Sequence, residues 1–147
     1  MRVLAVDPGE KRLGLAISDP SGAIARPLTV IEHYSRQVDA ATIAQLAAEN
    51  QAEVIVVGQS LDEHGKPTRR GRSAARLAAA IRVQSNLTVE LWDEEGSTQA
   101  ARQARIALGV GREKRSGHLD ELAATVILQS YLDAKRDSSE EAEGNHE

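Results

Sequence analysis

MRVLAVDPGEKRLGLAISD, residues 1–19, is the stretch whose reading decides the fold. Val3, Leu4, Ala5 and Val6 form a continuous apolar run, the pattern of a strand buried on both faces, so it predicts a central strand. Asp7, Pro8 and Gly9 break the run, Glu10 to Arg12 make a polar loop, and residues 13–17 read as a second strand, which together predict a hairpin. Gly14 permits close approach of another backbone or a ligand. Asp7 therefore stands at the tip of a buried strand beside a glycine-bearing turn, where a divalent cation and a phosphate can meet. The competing reading is ordinary turn chemistry, in which Asp7 only caps the turn.

Outward from the hairpin, residues 23–31 supply a third strand that completes an antiparallel meander, and Pro27 places it at an edge. Residues 35–50 set Val38, Ile43, Leu46 and Ala47 on one face, the pattern of an amphipathic helix. EVIVVG, residues 53–58, is a short buried strand ending at glycine, and from here strands alternate with helices, which implies parallel pairing. Residues 59–71 read as a polar loop with Gly65 and Pro67, residues 73–84 as an alanine-rich helix, and residues 87–92 as a strand running directly into Asp93, Glu94 and Glu95. Ser97 and Thr98 suit a helix start, residues 98–108 a helix ending near Gly109 and Gly111, and residues 112–117 a basic loop. The last helix, residues 118–134, carries Asp120 in its first turn and directs Leu119, Leu122, Ala123, Val126, Ile127 and Tyr131 toward the core.

With 147 residues the chain has the length of one ordinary domain, and the pattern assigns residues 1–136 to it. Residues 137–147, DSSEEAEGNHE, hold five acids and no Lys or Arg, the composition of a disordered acidic tail; without them the formal charge moves from −4 to +1. The absence of cysteine excludes disulfides, thiolate zinc sites and cysteine nucleophiles. With no signal-like start and no apolar run of membrane-spanning length, the expectation is a soluble cytoplasmic protein.

Three acidic positions share one kind of place: Asp7 ending a strand, one of Asp93, Glu94 and Glu95 ending another, and Asp120 opening the last helix. Ligands bind outside the carboxyl ends of strands in open α/β sheets, and converging carboxylates there hold hard divalent cations. Taken singly, Asp120 is a favourable partner of a helix dipole and the 93–95 group a solvated acidic turn. Bases cluster at Lys66, Arg69, Arg70, Arg72 and Arg76, and again at Arg112, Lys114 and Arg115. The first cluster is equally a solvated face or a substrate contact, whereas the nearness of the second to Asp120 points to substrate, as does Lys11 and Arg12 in the hairpin loop. There is no phenylalanine, and Tyr34, Trp92 and Tyr131 are scattered, so an aromatic stacking platform is not expected. His118 suits a donor to a phosphate or water, or simply a neighbour of the helix start.

DPGEKRLGLAISD, VGQSLDEHG, WDEEGST and HLDELAATVILQSYL, in that order, resemble the YqgF family, also called RuvX-like, over residues 2–132. Members are similar to ribonuclease H and to RuvC Holliday junction resolvases and are described as nucleases for the 5′ end of pre-16S rRNA. The resemblance implies an α/β, RNase H-like fold: a mixed five-stranded sheet, three antiparallel strands then parallel ones, flanked by helices. It implies metal-binding, catalytic acids at Asp7, Glu94 and Asp120, holding Mg²⁺ or Mn²⁺, two ions clamping the phosphodiester. It also implies structured RNA as substrate, association with pre-ribosomal particles, and a role in ribosome biogenesis. The chain departs from the family pattern at Glu95 and Gly96, where an arginine and an apolar residue are usual, and at Gln59 and Ser60, where Leu-Pro is usual. Alternatives are a resolvase acting on branched DNA and a non-catalytic nucleic-acid-binding module. An ATPase of the actin and sugar-kinase type needs two such domains. The state, monomer or dimer, bears on the resolvase alternative, since cutting two strands calls for a symmetric dimer.

Overall fold

The computed structural model describes the backbone of residues 1–93 and 117–144, and the side chains of residues 1–93 and 121–138. Strands β1 (Val3–Pro8), β2 (Arg12–Ser18) and β3 (Ala25–Glu32) pair antiparallel, and after helix α1 (Arg36–Glu49) strand β4 (Val54–Gln59) pairs parallel with β1. Helix α2 (Arg69–Gln84) leads to β5 (Thr88–Asp93), parallel to β4, and α3 (Gly117–Gly144) is the last described helix. The sheet order β3-β2-β1-β4-β5 makes β1 the central strand, as its unbroken apolar run requires.

The sheet divides the core into two layers. Leu4, Val6, Leu13, Leu15 and Ile17 point to the face covered by α1 and α2, where Ile43, Ala47, Leu77 and Ile81 complete the cluster. Val3, Ala5, Ala16 and Val56 point to the other face, where Ala124, Leu128, Tyr131 and Leu132 of α3 cover them. The small Ala5 and Ala16 let that helix lie close to the sheet. Its seat on β5 is polar as well as apolar: Trp92 Nε1 donates to Ser130 Oγ at 3.2 Å, and the Tyr131 hydroxyl donates to Glu90. Burial and the nearby Glu90 carboxylate raise the Tyr131 phenol above its ordinary range, so it remains a donor. Pro27 lies on edge strand β3, where the register shifts opposite Leu15 and Ala16, an accommodation for a residue with no N–H to give.

Four expectations need correction. Helix α2 begins at Arg69, so Arg69, Arg70 and Arg72 belong to a helix and not to a loop. Thr68 caps it, its Oγ1 accepting from Gly71 N and donating to Ser60 O, and a Cβ on Gly71 would stand 2.2 Å from Ser60 O; the glycine therefore permits a contact instead of breaking the helix. On α1, Val38 is 50% exposed, because the next residue, Asp39, turns inward to accept from Tyr34 N and to pair with His33. On α3 the buried stripe is Ala123, Ala124, Ile127, Leu128, Tyr131 and Leu132, while Leu122 and Val126 are only half-buried at its border. That helix also continues to Gly144, well beyond Ala134 and into the segment expected to lack secondary structure. Lys135, Arg136, Glu140, Glu141 and Glu143 suit a helix by propensity, although Lys135 to Ser138 are already exposed.

Candidate active site

Asp7 is 5% exposed, near the C-terminal end of the central strand. By strand alternation its side chain shares the face of Val3 and Ala5, the face that α3 covers. Its antiparallel partner across the hairpin is Gly14, and one step beyond the Val6–Val57 pair of the parallel ladder lies Gly58. The carboxylate therefore sits on a row in which neither flanking strand contributes a side chain. Trp92 follows Gly58 on the same row, and Asp93 ends β5 at the same sheet edge. The hairpin turn is tight enough that a Cβ on Gly9 would meet Arg12 O at 2.4 Å, so only glycine fits there.

Arg70 reaches this edge from the first turn of α2. Its Nη2 lies 3.7 Å from Asp7 Oδ1 and donates to Pro8 O at 3.3 Å. An ion pair of that length attracts without the directional constraint of a short hydrogen bond, so the carboxylate keeps a positive neighbour while retaining its capacity as a hard oxygen ligand. In the sequence Arg70 is one base of a cluster divided evenly between solvent and substrate. Its assignment depends on Gly71 and Thr68, which press the start of α2 onto the exit of β4, and that is a contact of tertiary structure.

Of the other expected site residues, Arg12 opens β2 two positions from Gly14, hence on Asp7's face of the sheet, and is half-buried. Lys11 is exposed in the turn, and its carbonyl accepts from His33 N at 2.9 Å. Asp120 falls in the first turn of α3, the helix that packs on Asp7's face, and its side chain lies outside the described residues. Glu94, Arg112, Lys114 and Arg115 lie outside the described residues, as do the expected helix at 98–108 and most of the basic loop. Among the described residues no group of three or more His, Cys, Asp or Glu is placed to hold a metal ion. Of the expected acids, Asp7 and Asp93 have their carboxylates described; Asp93 is half-buried at the end of β5, while the buried oxygen donors of Asp7 fit a hard cation. Asp19, the other aspartate of the opening stretch, is spent on structure: it accepts from the Ser21 hydroxyl, from Ile24 N at 2.9 Å and from Ala23 N at 2.8 Å, which hold its pKa far below the ordinary carboxylate range.

A family model described as "RuvX: Holliday junction resolvase" matches residues 1–134. A Clostridium beijerinckii protein named as a candidate pre-16S rRNA nuclease is 37% identical over 133 residues, covering 90% of this chain and 96% of the relative. A Geobacillus kaustophilus protein of the same name is 41% identical over 138 residues, covering 92% and 100%. Among solved structures, Thermus thermophilus RuvC in complex with a Holliday junction substrate superposes with a TM-score of 0.61 at 19% identity, over 93% of this chain and 96% of that one. The fowlpox virus Holliday junction resolvase gives 0.53 at 16% identity, over 91% and 99%. At such identities the likeness is one of fold, and the mixed five-stranded sheet with flanking helices is the RNase H-like arrangement expected from the sequence.

Proposed function

The chain belongs to the RuvX family, and from that membership we propose that it hydrolyses phosphodiester bonds of structured nucleic acid, with the 5′ end of pre-16S rRNA as the leading substrate. The observation that carries the reading is the buried Asp7 carboxylate at the end of the central strand, on a row where both flanking positions are glycine. A site that must admit a phosphate oxygen beside a carboxylate needs such bare backbone.

Asp7, Glu94 and Asp120 are proposed as the acids that hold Mg²⁺ or Mn²⁺, two ions in all. Bound there, the cations supply Lewis acidity toward the phosphate and lower the pKa of the attacking water. Asp7 contributes charged oxygen donors from a position that burial keeps fixed. Arg70 balances that charge and anchors the strand end through Pro8 O. Lys11, Arg12, Arg112, Lys114 and Arg115 are proposed to hold the substrate backbone. The nucleic acid is thus recognised by its phosphates and shape, in the cytoplasm and in association with pre-ribosomal particles. The packed domain is proposed to span residues 1–136. Among the described residues no helix is long and apolar enough to cross a membrane.

A second reading, cutting of branched DNA, is favoured by the matching family's description as a Holliday junction resolvase. Labelled pre-16S rRNA, duplex DNA and a four-way junction, each incubated with Mg²⁺, Mn²⁺ or a chelator, separate the two. Metal-dependent cleavage confined to the RNA supports the leading reading. Cleavage of the junction by a dimer transfers the assignment to DNA, and binding without cleavage of any substrate leaves a non-catalytic module.

A further inference from the structure

A cleft of about 560 Å³ opens on the sheet face opposite Asp7's side chain, between the β1–β2 turn, the end of β3 and the first turns of α1 and α2. Pro8, His33, Arg36, Asp39, Arg69 and Arg70 line it. Two acids contribute, but they are not equivalent. Asp39, 3% exposed, is committed inward, with Oδ1 accepting from Tyr34 N at 3.1 Å and Oδ2 paired with His33 Nδ1. Glu10 is exposed in the turn at the rim. The three arginines therefore outweigh the acid that faces solvent. Arg36 and Arg69 are the first residues of their helices, so each guanidinium adds to the positive end of a helix dipole at the same opening.

Arg70 joins this cleft to the carboxylate. One guanidinium lines the cleft and lies within 3.7 Å of Asp7 Oδ1 and 3.3 Å of Pro8 O, so it forms the partition between the two spaces. We propose that the cleft binds a phosphate of the strand that is cut at Asp7, a neighbour of the scissile one, gripped by Arg36 and Arg69. Guanidinium forks match phosphate oxygens bidentately, which suits three arginines in one cleft. The inference rests on the nuclease reading, and its test is kept separate from cleavage.

Binding of fluorescently labelled pre-16S RNA and of a four-way DNA junction is measured by anisotropy in EDTA across a salt series. Arg36→Ala/Arg69→Ala should weaken binding and flatten the dependence of log K on log salt by about one unit for each phosphate that is no longer neutralised. Arg36→Lys/Arg69→Lys should restore the slope, since it keeps the charges. If the alanine pair fails to fold, Arg36→Glu, at an exposed position, should give the same weakening with an unchanged melting temperature. Inorganic phosphate and oligonucleotides with and without a 5′ phosphate distinguish the source of the phosphate. Equal weakening on both oligonucleotides supports a strand diester; competition by inorganic phosphate alone, or slopes that coincide for wild type and the alanine pair, would overturn the assignment. Failure of the nuclease reading appears instead as absent metal-dependent cleavage with the slope difference intact.

Discussion

At the scale of single residues, charge and fit separate at Asp7. Asp7→Asn preserves shape but removes the negative charge that holds a hard cation, so cleavage should fall by orders of magnitude. Its partner Arg70 is partly solvated and 3.7 Å away, so the guanidinium stays hydrated when the buried carboxylate loses its charge, and thermal melting in metal-free buffer should show the fold retained. Full activity in the amide variant would remove Asp7 from the site. Asp19 gives the contrasting case. Its donors depress the folded pKa below the ordinary 3.8, so between the two values the unfolded chain binds more protons than the native one. The stability that Asp19 contributes is thus complete above pH 3.8 and is lost as pH falls through the folded value. Asp19→Asn should melt below wild type at neutral pH, and urea titrations should show that gap narrowing on acidification.

At the scale of elements, the start of α2 positions the site. Gly71→Ala would bring a methyl group to 2.2 Å from Ser60 O, so the first turn must retreat; the expected cost is about 1–3 kcal/mol, checked by urea denaturation. Activity should fall further than stability, because the retreat withdraws Arg70 from Pro8 O and Asp7. A variant with wild-type stability would show that the turn relaxes freely. The same element marks where the sequence stops being legible. The hairpin, the central position of β1 and the change to parallel pairing are readable because apolar runs and turn residues are local signals. The helix start at Arg69 is not, since Gly71 beside three arginines reads as loop until Ser60 O is known to lie against it. Val38 misleads for a related reason: its spacing fits a helical face, but the N–H of Tyr34 draws Asp39 inward and turns that face away. Asp7 is legible as a candidate from its place at a strand end, whereas its link to Arg70 requires the tertiary structure.

At the scale of the whole molecule, charge is distributed unevenly along the chain. The buried stripe of α3 ends at Leu132, and residues 137–147 carry five acids. Deleting them should leave the melting temperature unchanged even though helix extends to Gly144, because the described side chains beyond Ala134 are exposed. Nucleic-acid binding should tighten at low salt as the formal charge moves from −4 to +1, and the gain should shrink as salt screens exposed charge over about 10 Å at 0.1 M. Anisotropy across a salt series reads both effects. Unfolding on truncation would extend the domain past residue 136.

The chain has one tryptophan, and β5 sets it on the row of Asp7 with only Gly58 between them. Two strand spacings amount to about 10 Å. Indole emission is therefore an intrinsic optical gauge of this site: paramagnetic Mn²⁺ captured by Asp7 should quench it, diamagnetic Mg²⁺ should displace the quencher, and Asp7→Asn should leave the emission bright. Because the same indole donates to Ser130 and meets the Tyr131 ring edge-on, a shift in its emission maximum, distinct from simple dimming, would report α3 lifting from the sheet.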